Sequence, residues 1–308
     1  MTMYTEDAFQ AALSFAVQQQ AHIEPGVYAT KYPDIQYSTL VPVDTSAHPF
    51  AKTVTHYSSD QFGLAKWVNG NSDDIPLAGT ELAKHESAVH MAGIGYGWGY
   101  EELGYAQMMG INLPANDAAA ARRAAEEHID GVVLRGDAAK GMEGLINNSA
   151  VTVAGVTNGS WATATEDQIL ADVNTLLIGI GVASKYVGMA DTLLMDDESM
   201  NLIATRRLGD TGMTILSFLM QHNTYTARTG QQLTVRTVRG LETAGVGNTR
   251  RIVAYRRSPE VLKFHMPMPF RFLDVYRQGP MNYVVPGVFR LGGLDIRLPT
   301  EVRYGDGI

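Results

Sequence analysis

The sequence contains no cysteine. This absence excludes disulfide bridges, a thiolate nucleophile, and zinc or iron–sulfur sites built on cysteine ligands. A long uninterrupted apolar run is also missing, because the most apolar stretch, residues 176–195, is broken by glycines and by Lys185. The first ten residues, MTMYTEDAFQ, are acidic where a secretory signal peptide would be basic. We therefore expect a soluble intracellular protein without a membrane segment.

Motifs that bind phosphate or build hydrolase sites are missing as well. In HMAGIGYGWGYEELGYAQ, residues 90–107, Trp98 and Tyr100 stand where the dinucleotide motif G-x-G-x-x-G needs its last glycine. Neither a phosphate-binding G-x-x-x-x-G-K-[ST] nor a G-x-S-x-G occurs. His85 and His90 are five residues apart, whereas the helical zinc motif needs a spacing of four. The sequence thus predicts no cofactor and no metal.

Adjacent carboxylates are the remaining candidates for acid–base chemistry. Side chains of consecutive helical residues point about 100° apart, so such groups do not converge on one substrate. We interpret them as solvated or helix-end charges, and keep a soluble α+β enzyme that uses them as an alternative. The groups are Glu101 with Glu102, Glu126 with Glu127, and Asp196 with Asp197 and Glu198.

Glycines alternate with large residues in the same stretch, and their spacing is that of a strand. Gly93, Gly95 and Gly97 would leave one face bare, while Ile94, Tyr96, Trp98 and Tyr100 would line the other face. Because glycine within a strand often marks close backbone approach, we expect another backbone to lie against these positions. We take the three glycines as candidate interface residues.

Residues 51–99 have the pattern of one long two-stranded hairpin with a turn at residues 69–79. An isolated hairpin is marginally stable in water, so this one is expected to lie on another surface. Its tip, KWVNGNSDD, carries Lys66 and Trp67. We expect Trp67 to insert into a groove of a neighbouring copy; the alternative is that Trp67 folds back onto its own hairpin.

The rest of the chain mixes helical and strand patterns. Helices are predicted over residues 6–20, 101–110, 115–135, about 165–186 and about 196–208, with an extended arm after the first. In the third, the predicted apolar stripe is Ala118, Ala121, Ala125, His128, Ile129 and Val132, and Gly136 ends the helix. From about Thr211 onward the pattern is that of strands. Pro267 and Pro269 remove backbone donors and therefore predict an edge strand.

The net charge of −8 conceals a difference between two parts of the chain. Residues 1–205 contain 9 basic and 25 acidic side chains, whereas residues 206–308 contain 15 basic and 7 acidic ones. Such asymmetry indicates an electrostatic partner, either nucleic acid or the acidic part of a neighbouring copy. The alternative is that the two parts face each other within one fold. Candidate interface arginines are Arg250, Arg251, Arg256 and Arg257.

Several motifs, taken in order, resemble a known family. They are IEPGVYATKYPDIQYSTLVPVDTS, GYGWGYEELGYAQMMGINL, EEHIDGVVLRGDAAKGMEGLIN and LKFHMPMPFRFLDVY with the tail GGLDIRLPTEVRYGDG. Together they resemble the tailed-phage major capsid proteins with the Hong Kong 97-type fold, in the capsid family once known only as a domain of unknown function. The resemblance implies an α+β fold with an N-terminal arm, an extended E-loop hairpin, a spine helix, and peripheral and axial domains.

By region, the resemblance implies an N-terminal arm over residues 1–45 and an E-loop over residues 46–99. Residues 100–150 and 256–308 would form the peripheral domain with the spine helix, and residues 151–255 the axial domain. Some family members cross-link through an E-loop lysine. Lys52 and Lys66 lie in this region, but no matching motif surrounds them, so no cross-link is predicted.

The function implied by the resemblance is structural, not enzymatic. Copies would form homo-pentamers and homo-hexamers that close into an icosahedral shell around double-stranded phage DNA, bound without sequence specificity. The capsid would be assembled in the host bacterial cytoplasm, with scaffolding, portal and decoration proteins as further partners and no membrane contact. An encapsulin-like bacterial compartment with the same fold remains an alternative.

Overall fold

The computed structural model describes residues 34–67, 76–109, 113–155 and 159–308. From Ile35 onward, these residues belong to one compact unit. The helix predicted over residues 6–20 lies outside the described residues, as do most of the N-terminal arm and the part of the hairpin tip beyond Trp67.

The helices of the described part lie mostly where they were predicted. They are α1 (Tyr37–Leu40), α2 (Tyr100–Met109), α3 (Leu113–Arg135), α4 (Glu166–Ala183), α5 (Asp197–Thr205), α6 (Ile215–Gln221) and α7 (Thr224–Thr229). Helix α4 begins with a capping box, in which the Thr165 hydroxyl accepts from the Gln168 amide and the Gln168 side chain accepts from the Thr165 amide. At α5, the Asp196 carboxylate accepts from the Ser199 amide.

Helix α3 forms the predicted alanine-rich rod of 23 residues. Its buried side chains include Ala121, Ala125, Ile129 and Val132, which recur at helical spacing. His128, which was placed on the same stripe, is exposed instead. The helix ends at Gly136, whose φ of +72° lies in the left-handed region that favours glycine. A side chain there would also collide with the Met142 carbonyl.

The strands form several small sheets rather than one large sheet. They are β1 (Val43–Asp44), β2 (Thr53–Phe62), β3 (Gly79–Ala88), β4 (His90–Gly93), β5 (Tyr96–Gly99), β6 (Gly136–Asp137), β7 (Met142–Glu143), β8 (Thr152–Gly155), β9 (Thr192–Met195), β10 (Thr234–Thr237), β11 (Arg251–Tyr255), β12 (Leu262–His265), β13 (Met268–Phe272), β14 (Tyr276–Arg277), β15 (Asn282–Val285), β16 (Gly287–Leu291), β17 (Gly293–Ile296) and β18 (Val302–Asp306). The described sheets have the orders β10-β9-β11-β18-β8, β1-β12-β17, β13-β16-β4, β14-β15-β5, β2-β3 and β6-β7.

The five-stranded sheet separates two apolar cores. Its inner strands are antiparallel, whereas the outer strands β10 and β8 pair in parallel with β9 and β18. Along β11, Val253 and Tyr255 point into one core, and Ile252 and Ala254 point into the other. The first core includes α3 and β12, and the second includes α4 to α7. Strand β18 lies inside this sheet although the sequence assigned it to the peripheral domain, so the domain boundaries remain a prediction.

The hairpin differs from its prediction at one end. Strands β2 and β3 pair antiparallel through ten residue pairs, from Thr53 opposite Ala88 to Phe62 opposite Gly79. The predicted second strand was to continue to residue 99. Instead, the chain leaves the hairpin at Val89, whose side chain is buried, and β4 and β5 pair with β16 and β15. The predicted hairpin over residues 51–99 is therefore wrong beyond Ala88.

Two further expectations for the C-terminal part need correction. The segment after Thr211 was predicted as strands, yet it contains α6 and α7, which Thr214 and Asn223 cap. These short helices have seven and six residues, too few for a periodic apolar pattern to stand out. The segment with Pro267 and Pro269 was predicted as an edge strand. This holds for β13, which contains Pro269, whereas the preceding β12 is central in its sheet.

The capping box of α4 predicts a measurable loss of stability. We expect Thr165→Ala to lower the free energy of unfolding by about 0.5 to 2 kcal/mol, because one end of the helix loses its side-chain acceptor. The matched control is Thr175→Ala, since the Thr175 hydroxyl donates to the Ala171 carbonyl inside the same helix and caps nothing. Denaturant titration of unassembled subunits gives both values. Equal losses for the two variants would contradict the capping role.

Candidate assembly interface

The hairpin formed by β2 and β3 exposes apolar side chains that its own chain leaves uncovered. No third strand pairs with it in the described part of the chain. A ribbon of this kind has too little buried surface to be stable by itself in water. The exposed apolar residues on or beside it are Tyr57, Phe62, Leu64, Trp67, Leu77 and Leu82. A concentration of exposed apolar side chains on one element favours an interaction site there.

Lys66 and Trp67 follow the end of β2 and are the last described residues before the hairpin tip. The indole of Trp67 is fully exposed, at 103% of its reference area, so it does not fold back onto the described part of the hairpin. Lys66 is exposed as well. An uncovered tryptophan is available to a neighbouring molecule, and tryptophan is enriched among the residues that dominate interface energies.

At its base, the hairpin contacts the body of the subunit through histidines. His56 and His85 are directly opposite each other in the strand register, and their rings stack at 4.8 Å between centroids. The Nδ1 atom of His56 lies 3.1 Å from Oδ2 of Asp295 on β17. Burial lowers the pKa of His56, although the charge of Asp295 partly opposes this effect. This contact therefore joins the hairpin to β17 best while His56 is neutral.

A buried histidine lies behind this contact. His265 is 2% exposed, with Nδ1 3.7 Å from Oδ2 of Asp44 and Nε2 3.5 Å from Oδ2 of Asp295. Hydrogen bonds from Ser46, with a further contribution from Lys263, hold the pKa of Asp44 at about 2. Burial opposes the charge of Asp295, but the neighbouring His265 and Arg297 side chains still keep its pKa below the ordinary value. Both carboxyl groups are therefore ionised at neutral pH.

The alternating glycines lie against backbone, as predicted, and this backbone belongs to the same chain. A Cβ atom on Gly95 would lie 2.6 Å from the Val285 carbonyl oxygen and 3.0 Å from Cα of Pro286. On Gly93 and Gly97 it would lie 2.9 Å and 2.8 Å from the carbonyl oxygens of residues 287 and 283. The strand is interrupted at Ile94 and Gly95, so it becomes β4 and β5 in two different sheets. Contact of these glycines with a neighbouring copy remains a prediction.

The four candidate arginines all have partners inside the subunit. Arg250 pairs with Glu198, and its Nε lies 3.8 Å from Oδ2 of Asp196. Arg256 pairs with Glu301. Arg257 donates from its side chain to the Ser38 carbonyl and from its backbone to Asp191. Of these partners, Glu198, Asp196 and Asp191 belong to the acidic part of the chain, whereas Glu301 belongs to the basic part itself. The structure therefore gives the alternative, in which the two parts face each other within one fold, only some of the pairs that it predicts. Contact of the four arginines with a neighbouring copy remains a prediction.

Arg251 is the most deeply buried of these arginines, with 6% exposure. Its Nε and Nη2 atoms donate to the two carboxylate oxygens of Asp306 at 2.6 and 2.8 Å, and Nη1 donates to the Ile146 carbonyl at 2.7 Å. The guanidinium also lies over the Tyr304 ring, 4.3 Å from its centroid. This bidentate pair joins β11 to β18 and to the loop that follows α3.

The carboxylate groups considered for catalysis do not converge. Glu101 and Glu102 lie in the first turn of α2, and Glu126 accepts from the Tyr37 hydroxyl. Asp196 caps α5, while Asp197 and Glu198 are exposed in its first turn. A groove of about 400 Å³ beside the hairpin base has other acidic side chains, Glu86 and Glu143. The geometry therefore does not support the alternative enzyme.

The described residues also bear on two other classes of function. No group of three or more His, Asp or Glu side chains there is arranged to hold a metal ion. Among the helices that the structure describes, none is both long and apolar enough to cross a bilayer.

Comparison with known proteins adds a family and a fold. A family model described as major capsid protein matches residues 63–308. No curated protein matches the chain at a significant level. Among solved structures, the capsid of Myoviridae phage XM1 superimposes with a TM-score of 0.81 at 20% identity, covering 94% of this chain and 98% of that one.

Two other structures are more distant in sequence. One is from Mycobacterium phage Bobi, with a TM-score of 0.64, 14% identity and 99% of each chain covered. The other is the capsid of an empty GTA particle computed with C5 symmetry, with a TM-score of 0.63, 9% identity, and 96% and 97% covered. At these identities the likeness establishes the fold, and the expected α+β capsid fold of the Hong Kong 97 type is confirmed.

The buried Arg251–Asp306 pair leads to a prediction about stability. We expect Arg251→Ala to lower the free energy of unfolding by about 3 to 5 kcal/mol, because Asp306 would stay buried without its partner. Lys84→Ala is the control; Lys84 and its partner Glu86 are both about half exposed, so a loss of about 0 to 1 kcal/mol is expected. The double variant Arg251→Met/Asp306→Leu should recover most of the loss. Denaturant titration of subunits would disprove the role of the pair if Arg251→Ala and Lys84→Ala cost the same.

The glycine strand offers an equally direct comparison. Gly95→Val should destabilise the subunit by about 1 to 3 kcal/mol or more, because its side chain would overlap fixed backbone atoms. Gly99→Val is the control on the same segment, since a Cβ there meets no atom within 4 Å. Thermal unfolding of the two variants is the measurement. A Gly95→Val protein as stable as Gly99→Val would mean that the close approach is not a constraint.

Proposed function

The chain belongs to the major capsid protein family, and from this membership we propose that its copies form pentamers and hexamers that close into an icosahedral shell around double-stranded phage DNA. As a member of this family, it is a structural protein of a virion shell. We further propose that it has no catalytic role and that the shell is assembled in the cytoplasm of a bacterial host.

The hairpin is the observation that carries the proposal. A subunit that acted alone would cover apolar side chains such as Leu64, Trp67 and Leu77, because their exposure is unfavourable in water. In a shell, a neighbouring copy covers them. We propose that the hairpin lies across an adjacent subunit and that Trp67 occupies a groove there. The solved capsid of phage XM1 supports the assembly, because that protein has the same fold and forms a capsid.

Electron microscopy of the purified protein tests the shell itself. Round, closed particles built from this chain alone or with a scaffolding protein would support the proposal. Discrete oligomers of a few copies under all assembly conditions would contradict it. The contents of particles from infected or expressing cells distinguish the phage shell from the encapsulin-like alternative: nuclease-protected DNA supports the former, and a packaged protein supports the latter.

Trp67 gives a sharper test of the hairpin. We expect Trp67→Ala to leave the unfolding of isolated subunits nearly unchanged, because the indole has no packing partner in the described part of its own chain. Assembly should weaken by about 2 kcal/mol or more for each contact, as is typical when an interface tryptophan is truncated. The subunit concentration at which shells appear, measured by light scattering, should therefore rise.

Trp67→Phe serves as the conservative control and should keep most of the assembly. If Trp67→Ala destabilises the isolated subunit but forms shells at the ordinary concentration, Trp67 is not an interface anchor. That result would leave the capsid role intact, because the shell is observed separately.

A further inference from the structure

Three of the chain's eight histidines meet where the hairpin joins the body of the subunit. His56 lies on β2, His85 on β3 and His265 on β12, and we call them the histidine cluster. Histidine is the side chain whose ordinary pKa places its change of charge near neutral pH. The cluster therefore brings three histidine rings to a contact between the base of the hairpin and the body.

Charges from the neighbouring elements already balance one another. The carboxylates are Asp44 on β1 and Asp295 on β17. Lys263 on β12 lies 3.3 Å from Asp44, and Arg297 after β17 lies 3.2 Å from Asp295. These two anions and two cations leave no net negative charge for a protonated histidine. A proton on His56 would face His85, His265 and Arg297 with only Asp295 in its favour.

The stacked pair is the sensitive part of this arrangement. His56 and His85 are cross-strand partners with nearly parallel rings, at an interplanar angle of 15°. Like charges at directly opposite positions of a ladder repel each other. The Nε2 atom of His85 is engaged with the Ser58 hydroxyl at 3.1 Å, so the ring is held in place against His56.

We propose that this contact is a pH-sensitive seat for the hairpin: when His56, stacked on His85 and facing Arg297 and His265, is protonated at mildly acidic pH, the base of the hairpin separates from β17 and the hairpin changes its angle to the body. The inference rests on the proposed role of the hairpin as an assembly arm and assigns it a means of regulation. Separation does not leave Asp295 unpaired, because Arg297 and His265 remain beside it.

The direction of the pH effect follows from the linkage between protonation of His56 and seating of the hairpin. Burial lowers the pKa of seated His56 below the ordinary histidine value of 6.5. A group with a lowered pKa in the seated state binds its proton more readily once it is released. The seat is therefore favoured above about pH 6.5 and weakens as the pH falls below that value. In this range the ratio of released to seated hairpin rises by up to about tenfold per pH unit for each proton taken up.

The chain's lack of cysteine makes the angle of the hairpin directly measurable. Ser59→Cys on the exposed side of β2 and Thr243→Cys on the body give two unique sites for spin labels. Full-length subunits, isolated by size exclusion before assembly, are frozen at a series of values from about pH 7.5 to 5.5, which span the range where histidine titrates. Pulsed electron paramagnetic resonance then gives the distribution of distances between the two labels.

We expect one label distance at the upper end of this range and a second population that grows on acidification. In the labelled protein, His56→Gln and His85→Gln should abolish or strongly reduce this growth, because glutamine can form hydrogen bonds but does not gain charge. The matched control is His222→Gln, which replaces an exposed histidine on another element. Its second population of label distances should grow on acidification as in the parent protein.

Two outcomes would overturn the inference. One is a distance distribution that is independent of pH, or that narrows on acidification because the His56–Asp295 pair strengthens. The other is a second population of label distances that grows on acidification as much in His56→Gln and His85→Gln as in the parent protein. Because the measurement uses unassembled subunits, either failure leaves the capsid role open, and that role is decided separately by whether shells form.

Discussion

The alternation of side chains along β11 is the constraint on which the subunit depends. This strand is buried along its whole length, and successive residues serve two different cores. A shift of one residue in its register would exchange the two sets and expose neither to water, but it would misplace Arg251 relative to Asp306. The bidentate pair therefore fixes the register at the junction of the cores. Outside this sheet, the hairpin contacts the body through Asp295 on β17, the strand that pairs with β12.

The hairpin, in contrast to β11, has few buried side chains. Its ten residue pairs give it internal order, yet most of its side chains are exposed, and its base meets the body through a few polar groups. A ribbon with strong internal pairing and weak attachment can change its angle without unfolding, because the ladder and the seat are separate sets of interactions. That separation would suit the hairpin to act as an arm in the proposed shell, in which subunits take different orientations around fivefold and sixfold axes.

The sequence predicted the helices and strands better than it predicted which of them pair or pack together. The α3 rod and the starts of α4 and α5 were predictable, because capping residues and helical periodicity are local signals. The C-terminal ends of α4 and α5 each lie three residues before the predicted ones. The alternating glycines correctly indicated close backbone, but the approaching strand lies almost 190 residues later in the chain, and no local pattern identifies it. The histidine cluster was missed for the same reason. Only the register of the hairpin makes His56 and His85 partners, and the composition of its turn did not fix that register.

Some of the charge asymmetry is balanced within the subunit. Arg206 pairs with Glu166 and Arg250 with Glu198, so these two basic residues meet acidic residues that are distant in sequence. Arg251 and Arg256 instead have acidic partners within the basic part itself. Each exposed pair of this kind contributes little to stability by itself. Contact with packaged DNA would have to use arginines that these pairs do not engage, because an arginine already paired with a carboxylate offers little net charge to a phosphate.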